Sequence, residues 1–326
     1  MKEYELIKHV AKNFKRSREQ HNDLFECDAE IITIGNQEWG LSMDDFSPEE
    51  DLFASEDPVI LGVNLVVATL SDLLAAGVEP RFFMQSLSLP VKADKSFVEG
   101  LVEGIRKTLE AAGCFLCGGD MGRADTWRYC ALGMGPVISG NPLTHRLPPE
   151  PYTIWITGSL GDANLAVLRK TATPEFELRL QEAEIIRRFA SACIDTSGGF
   201  FDAVWVLREQ NPHMKFEIDL KNIPYAEGAV EISGRLGIPP ESALLGGAGE
   251  YELLFAVPEY SAVDELLSAG MTLVGTVHRE DYKGVKLKCR DGSEKIMTQP
   301  PLCPREAPNI DEYIQKVMDM SYNLFR

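Results

Sequence analysis

Apolar residues along the chain recur first with a helical period and then in short strand-like runs. Over residues 3–15, Tyr4, Ile7, Val10, Ala11 and Phe14 fall on one helical face, which predicts an opening amphipathic helix. EIITI at 30–34 reads as a strand, and an acidic loop is expected from 44 to 57. Pro58 then opens the most apolar stretch, 59–76, which Gly77 ends. Asn64, Thr69, Ser71 and Asp72 interrupt that stretch, so it predicts a buried helix and no membrane span. A strand near 82–89 and a helix over about 94–112 follow. Next come a short apolar run at 114–117, a loop GGDMGR at 118–123 and a strand over 127–137.

Prolines cluster in NPLTHRLPPEP at 141–151, which predicts a boundary between an N-terminal domain, 1–148, and a C-terminal domain, 149–326. Strands are expected beyond it at 152–157, 214–220, 251–257, 272–277 and 285–289. Helices are expected up to 169, over 178–190, up to 207, near 226–236 and over 309–325. The loops GSLGD (158–162), CIDTSGGFFD (193–202) and GGAGE (246–250) separate them. Strands and helices mix in both halves, which predicts an α/β (α+β) protein.

Composition narrows the function. A chain of 326 residues that is 44% apolar can bury two cores. Its 32 Lys+Arg against 50 Asp+Glu give a formal net charge of −18. Such a surface repels phosphate backbones, so no nucleic-acid partner is expected. A phosphorylated small molecule would need a divalent cation between itself and the protein. Seven irregularly spaced cysteines form no disulfide framework, and the first ten residues lack a secretory apolar core, so a reduced, cytoplasmic setting is expected. The single Cys114-x-x-Cys117 pair lacks the further ligands of a tetrahedral zinc site.

The chemistry concentrates in aspartates on glycine-flanked segments. Asp72 lies deep in the apolar helix; alone it fits a bound or paired carboxylate as well as one that reaches solvent. In GGD, Gly118 and Gly119 allow close backbone approach to a ligand beside Asp120, and Arg123 could neutralise a phosphate. Asp44 and Asp45 end an alternating segment, a pattern that suits Mg²⁺ with its preference for one or two carboxylates plus phosphate oxygens, and also suits a solvated acidic loop.

Taken in order, TLSDLLAAGVEPRFFMQSLSLP (69–90), CGGDMGR (117–123), ITGSLGDANLAVL (156–168), CIDTSGGFFD (193–202) and EYELLFAVP (250–258) resemble the aminoimidazole ribonucleotide synthetase family, and within it the thiamine-monophosphate kinases. The resemblance implies a two-domain fold with mixed sheets covered by helices, and a homodimer paired through its N-terminal domains. It also implies an ATP- and Mg²⁺-dependent phosphotransferase with a small phosphorylated acceptor, converting thiamine phosphate to thiamine diphosphate. Carried over by position, Asp28, Asp44, Asp72, Asp120 and Asp195 would hold metal. Asp44, Asp72, Asp120 and Asp195 would take part in catalysis, and Thr69, Gly118, Gly119, Asp120 and Arg123 would line the nucleotide. The sequence departs from the pattern at Cys27, Thr69, Gly198 and Gly249, where the family has Asp, Asn, Asp and Glu. Asp44, Asp72 and Asp120 are therefore expected to form a nucleotide half of the site and Asp195 a thinner acceptor half. An ATP-dependent synthase or ligase of the same superfamily, or a dimeric nucleotide-binding relative without catalysis, are the alternative functions.

Overall fold

The computed structural model describes residues 3–138, 141–259 and 261–325. The N-terminal half contains α1 (Glu3–Ala11), β1 (Glu30–Ile34), β2 (Gln37–Phe46), α2 (Pro58–Ala75), β3 (Phe82–Leu89), α3 (Lys95–Ala111), β4 (Phe115–Arg123) and β5 (Arg128–Pro136). Its five strands form one sheet in the order β1-β2-β5-β3-β4, antiparallel except for the β3–β4 pair.

The C-terminal half contains β6 (Tyr152–Ile156), α4 (Asp162–Arg169), α5 (Leu180–Phe189), β7 (Ala192–Asp195), α6 (Phe200–Gln210), β8 (Met214–Asp219) and α7 (Ala229–Leu236). It continues with β9 (Leu253–Pro258), α8 (Val263–Ser268), β10 (Thr272–Arg279), β11 (Val285–Lys288), β12 (Glu294–Met297) and α9 (Ile310–Phe325). Its seven strands run β12-β11-β8-β10-β6-β9-β7, with β8 and β11 the parallel pair. The two sheets lie on either side of the proline-rich stretch 141–151.

The apolar helix α2 organises the N-terminal half. Asp57 caps it by accepting from the Val59 amide at 2.8 Å, and Pro58 occupies its first turn. It is the one helix among the described residues long and apolar enough to cross a membrane, and most of it is buried within the protein. Its partner α3 comes close because glycine meets glycine: a Cβ on Gly104 would stand 3.0 Å from the Gly62 Cα, and one on Gly62 would stand 3.1 Å from the Gly104 Cα. Asn64 of α2 also ties the halves together, donating to the Pro174 carbonyl at 2.8 Å and accepting from the Phe176 amide at 2.9 Å.

The expected opening helix forms but ends at Ala11, short of residue 15; Ile7, Val10 and Phe14 are exposed, and the Tyr4 side chain is outside the described residues. Two further expectations need correcting. GGDMGR is strand, not loop. It continues β4 through a bulge at Cys117, where the register jumps from Leu116↔Phe83 to Gly118↔Met84, and Gly118 takes a φ of 142°. Finally, the start of the expected loop 193–202 is strand β7, whose four residues are all buried and so carry no alternation.

Candidate active site

Three carboxylates from distant parts of the sequence meet between the two sheets. Asp28 comes from the turn before β1, Asp72 from the last turns of α2, and Asp195 from the end of β7. One oxygen of each lies within 4.8 Å of the others. Like charges this close cannot all ionise without a cation. Burial, reinforced by Asp44, Asp195 and Asp28, drives the Asp72 pKa well above the usual carboxylate range. Burial and Asp28 push Asp195 up to about 7.

Their remaining contacts hold them in place. The Asp195 amide donates to Asp28 Oδ2 at 3.0 Å, and the Ser197 amide donates to Asp195 Oδ1 at 3.0 Å. The Ser71 hydroxyl donates to Asp195 Oδ2, and the Ser42 hydroxyl to Asp72 Oδ2. His145 completes the set: Nδ1 lies 2.9 Å from the Phe25 carbonyl and Nε2 lies 3.0 Å from Asp28 Oδ1. A carbonyl only accepts, so Nδ1 donates, and one proton must lie between Nε2 and Asp28. Burial pulls the imidazole pKa down, but the adjoining Asp28 carboxylate outweighs it and holds that pKa above its ordinary value.

From this cluster a cleft of about 1170 Å³ opens between the halves, lined among others by Asp44, Asp51, Trp127, Tyr251 and Arg305. Burial raises both Asp44 and Asp51 to about 6, against the opposing pull of Arg305. Arg305 lies in the turn Pro304–Glu306 and donates to Glu50 at 2.7 Å, bridging the C-terminal segment to the acidic loop after β2. Alternation along β2 leaves Asp45 exposed while Asp44 is half-buried and raises Asp72.

The other sequence candidates lie elsewhere. Gly118, Gly119, Asp120 and Arg123 are on β4, the exposed edge strand; Asp120 pairs in register with Ser86, and none of the four lines the cleft within one chain. Thr69 is fully buried and donates to the Leu65 carbonyl at 3.1 Å, so the expected nucleotide contact has no accessible hydroxyl. Cys27 donates to the Leu143 carbonyl at 3.2 Å, and burial raises its thiol pKa far above the ordinary range, so it replaces a carboxylate with a neutral group. Glu250 turns away to accept from the Gly161 and Ala163 amides, at 2.6 and 3.1 Å. Gly249 packs against residue 197: a Cβ there would meet the Ser197 carbonyl oxygen at 2.7 Å. The geometric division into a nucleotide half and an acceptor half does not hold, because Asp72 and Asp195 belong to one cluster. His145, Asp51, Tyr251 and Arg305 have no signal of their own in the sequence: a histidine, an acid, a tyrosine and an arginine in mixed segments carry no period.

Residues 26–137 match the family described as AIR synthase related protein, N-terminal domain. That match covers most of the N-terminal half, which is similar to AIR synthase-related N-terminal domains. Among its relatives are the thiamine-monophosphate kinases of Archaeoglobus fulgidus, 26% identical over 78% of this chain and 85% of the relative, and of Escherichia coli, 26% identical over 77% and 82%. The same fold occurs in a structure described as AaThiL complexed with AMPPCP and TMP, with TM-score 0.76, 22% identity and coverage of 89% of this chain and 94% of that one. It also occurs in the hydrogenase maturation protein HypE of E. coli, with TM-score 0.68, 19% identity and coverage of 95% and 100%. This fold, with mixed sheets covered by helices, is the one the sequence motifs implied.

Proposed function

We propose that this protein is an ATP- and Mg²⁺-dependent phosphotransferase of the thiamine-monophosphate kinase type, forming thiamine diphosphate and ADP from thiamine phosphate and ATP. The observation that carries the reading is the Asp28–Asp72–Asp195 cluster, whose Asp72 lines the cleft, in a chain similar to those kinases over about four-fifths of its length. The donor set fits the metal. It offers hard carboxylate oxygens, as Mg²⁺ prefers, and burial together with neighbouring carboxylates raises the pKa values of Asp72 and Asp195. Bound there, Mg²⁺ would supply charge that offsets the phosphates on a protein of net charge −18.

The transfer breaks the bond between the γ-phosphorus of ATP and the bridging oxygen, which leaves with the electron pair on ADP. A bond forms from that phosphorus to a phosphate oxygen of the acceptor. A phosphate monoester is already anionic near neutral pH, so the acceptor needs no dedicated base. The chain's own part is alignment and exclusion of water. Asp44 and Asp72 face the cleft, the Ser42 and Ser71 hydroxyls fix the carboxylates, and Arg305 brings a cation to the acidic rim.

Assembly as a homodimer is part of this reading. The edge strand β4 leaves Phe115, Leu116 and Met121 exposed at 61%, 51% and 65%, and its outer edge has no partner strand in one chain among the described residues. A second copy seated there would bury these side chains and cover Asp120 and Arg123. The proposed setting is cytoplasmic, with no nucleic-acid or membrane partner.

The test is ³¹P NMR of ATP and thiamine phosphate with the protein and Mg²⁺. Growth of thiamine diphosphate and ADP together supports the reading; unchanged substrates at high enzyme concentration reject it. Gly198 and Gly249 favour the second reading, a nucleotide-binding relative without turnover, which predicts ATP binding and no diphosphate.

A further inference from the structure

We propose that the hydroxyl of Tyr251 is a phosphate-binding group, donating to an oxygen of the phosphorylated ligand that the aspartate cluster holds through its cation. The inference rests on reading the cleft as a site for a phosphorylated ligand bound with Mg²⁺. Tyr251 has a φ of 56°, in the left-handed region that side chains with a Cβ adopt only at a cost. Such strain persists where the surroundings enforce it, and it gathers at ligand sites.

Both sequence neighbours enforce it. Glu250 is anchored inward by the Gly161 and Ala163 amides, at 2.6 and 3.1 Å. Glu252 accepts from the Thr157 hydroxyl at 2.6 Å and from Arg179 Nε at 2.7 Å. With both neighbours tied into the interior, the side chain between them is left to line the cleft. Its ring packs edge-on against Phe176, with centroids 5.0 Å apart. The far end of the ring fits because residue 249 is glycine: a Cβ there would stand 3.0 Å from Cζ of Tyr251 and 3.1 Å from Cα of Ser197. The carbon that bears the hydroxyl therefore lies beside the residue whose amide holds Asp195.

The hydroxyl itself is uncommitted. It has no hydrogen-bond partner among the described residues, although a tyrosine packed into a protein ordinarily finds one. Burial, reinforced by Asp44, Asp51, Asp195 and Asp72, keeps the phenol protonated and so a donor. Other donors on the cleft wall are engaged: Asn64 with the Pro174 carbonyl, Thr173 with the Phe53 carbonyl and Arg305 with Glu50. The carboxylates of the wall repel phosphate and reach it only through a cation. A neutral O–H beside them can meet a phosphate oxygen directly. The competing explanation is that Tyr251 only packs against Phe176, a role that needs the ring and not the oxygen.

Tyr251→Phe keeps the ring and deletes the oxygen, so it separates the two. Calorimetric titrations in excess Mg²⁺ use ATP, thiamine phosphate and inorganic pyrophosphate as probes, each below the melting transition of the protein. The variant should bind at least one of these probes about tenfold or more weakly than the parent. A loss confined to ATP assigns the contact to the nucleotide, and one confined to thiamine phosphate assigns it to the acceptor. A folded variant that binds all three like the parent overturns the proposal, as does a parent that binds none of them. A parent whose binding of ATP or pyrophosphate is weakened by Tyr251→Phe, yet which forms no thiamine diphosphate, rejects the kinase reading and leaves this one standing.

Discussion

The backbone amide of Asp195, at the end of the C-terminal strand β7, donates to the carboxylate of Asp28, in the turn before the first N-terminal strand, at 3.0 Å. The aspartate cluster is thus also a seam between the two halves. Filling the cluster should tighten the seam, and emptying it should leave buried carboxylates facing one another. Asp195→Asn relieves that repulsion, since an amide carries no charge. In chelator at pH 8 its melting temperature should exceed the parent's by at least about 2 °C. The same variant should gain little from added Mg²⁺, whereas the parent should gain clearly; differential scanning calorimetry with and without metal reads both.

The pH dependence has a definite sign. Asp44 and Asp51 are raised to about 6 and Asp195 to about 7, all above the unfolded carboxylate value near 4. A raised carboxyl stabilises the fold fully below its unfolded pKa, and that contribution is lost as pH rises through the folded pKa. Without metal, the melting temperature of the parent relative to Asp195→Asn should therefore fall between about pH 4 and pH 7. Mg²⁺ affinity should rise over the same interval as protons stop competing. A parent-to-variant difference that is flat from pH 4 to 8 would contradict the burial argument.

His145 should prove structural as well as electrostatic. His145→Ala leaves Asp28 Oδ1 and the Phe25 carbonyl without their buried partner, which should cost about 1–3 kcal/mol in urea unfolding. His145→Gln keeps one donor and should recover part of that loss. Equal stability of the parent and His145→Ala would show that the buried contact contributes nothing.

Much of the frame is legible in the sequence. The helix α2 declares itself through Pro58, a long apolar run and Gly77, and α3 and β3 through their periodicity. Of the cluster, Asp72 stands out as an acid in an apolar helix and Asp195 as one beside a glycine-rich loop, whereas Asp28 is unremarkable by itself and is singled out only by the motif resemblance. What is not legible depends on long-range contact. His145 is a histidine beside prolines until a carboxylate 117 positions away meets it. Two glycines in GGD read as a loop, yet the β3–β4 register carries them as paired strand residues just beyond a bulge at Cys117. The short elements β7, β12 and α8 are too brief for a period to show. Motif position alone puts Thr69 at the nucleotide, whereas in the packed helix its hydroxyl donates to the Leu65 carbonyl.

The edge strand makes the assembly testable. Leu116→Arg on β4 places a charge on a surface already exposed in one chain, so it should leave the fold intact while separating the copies. Light scattering at micromolar concentration should give a dimer mass for the parent and a monomer mass for the variant. A parent of monomer mass would contradict the dimer.

The central claim, that the aspartate cluster holds the cation through which this acidic protein accepts ATP, is tested most directly by calorimetric titration of ATP in excess Mg²⁺ and again in chelator. The account predicts saturable binding with Mg²⁺ that falls by at least about a hundredfold in chelator, and an equal fall for Asp72→Asn in Mg²⁺. ATP binding of the same strength in chelator, or in Asp72→Asn with Mg²⁺, would contradict it.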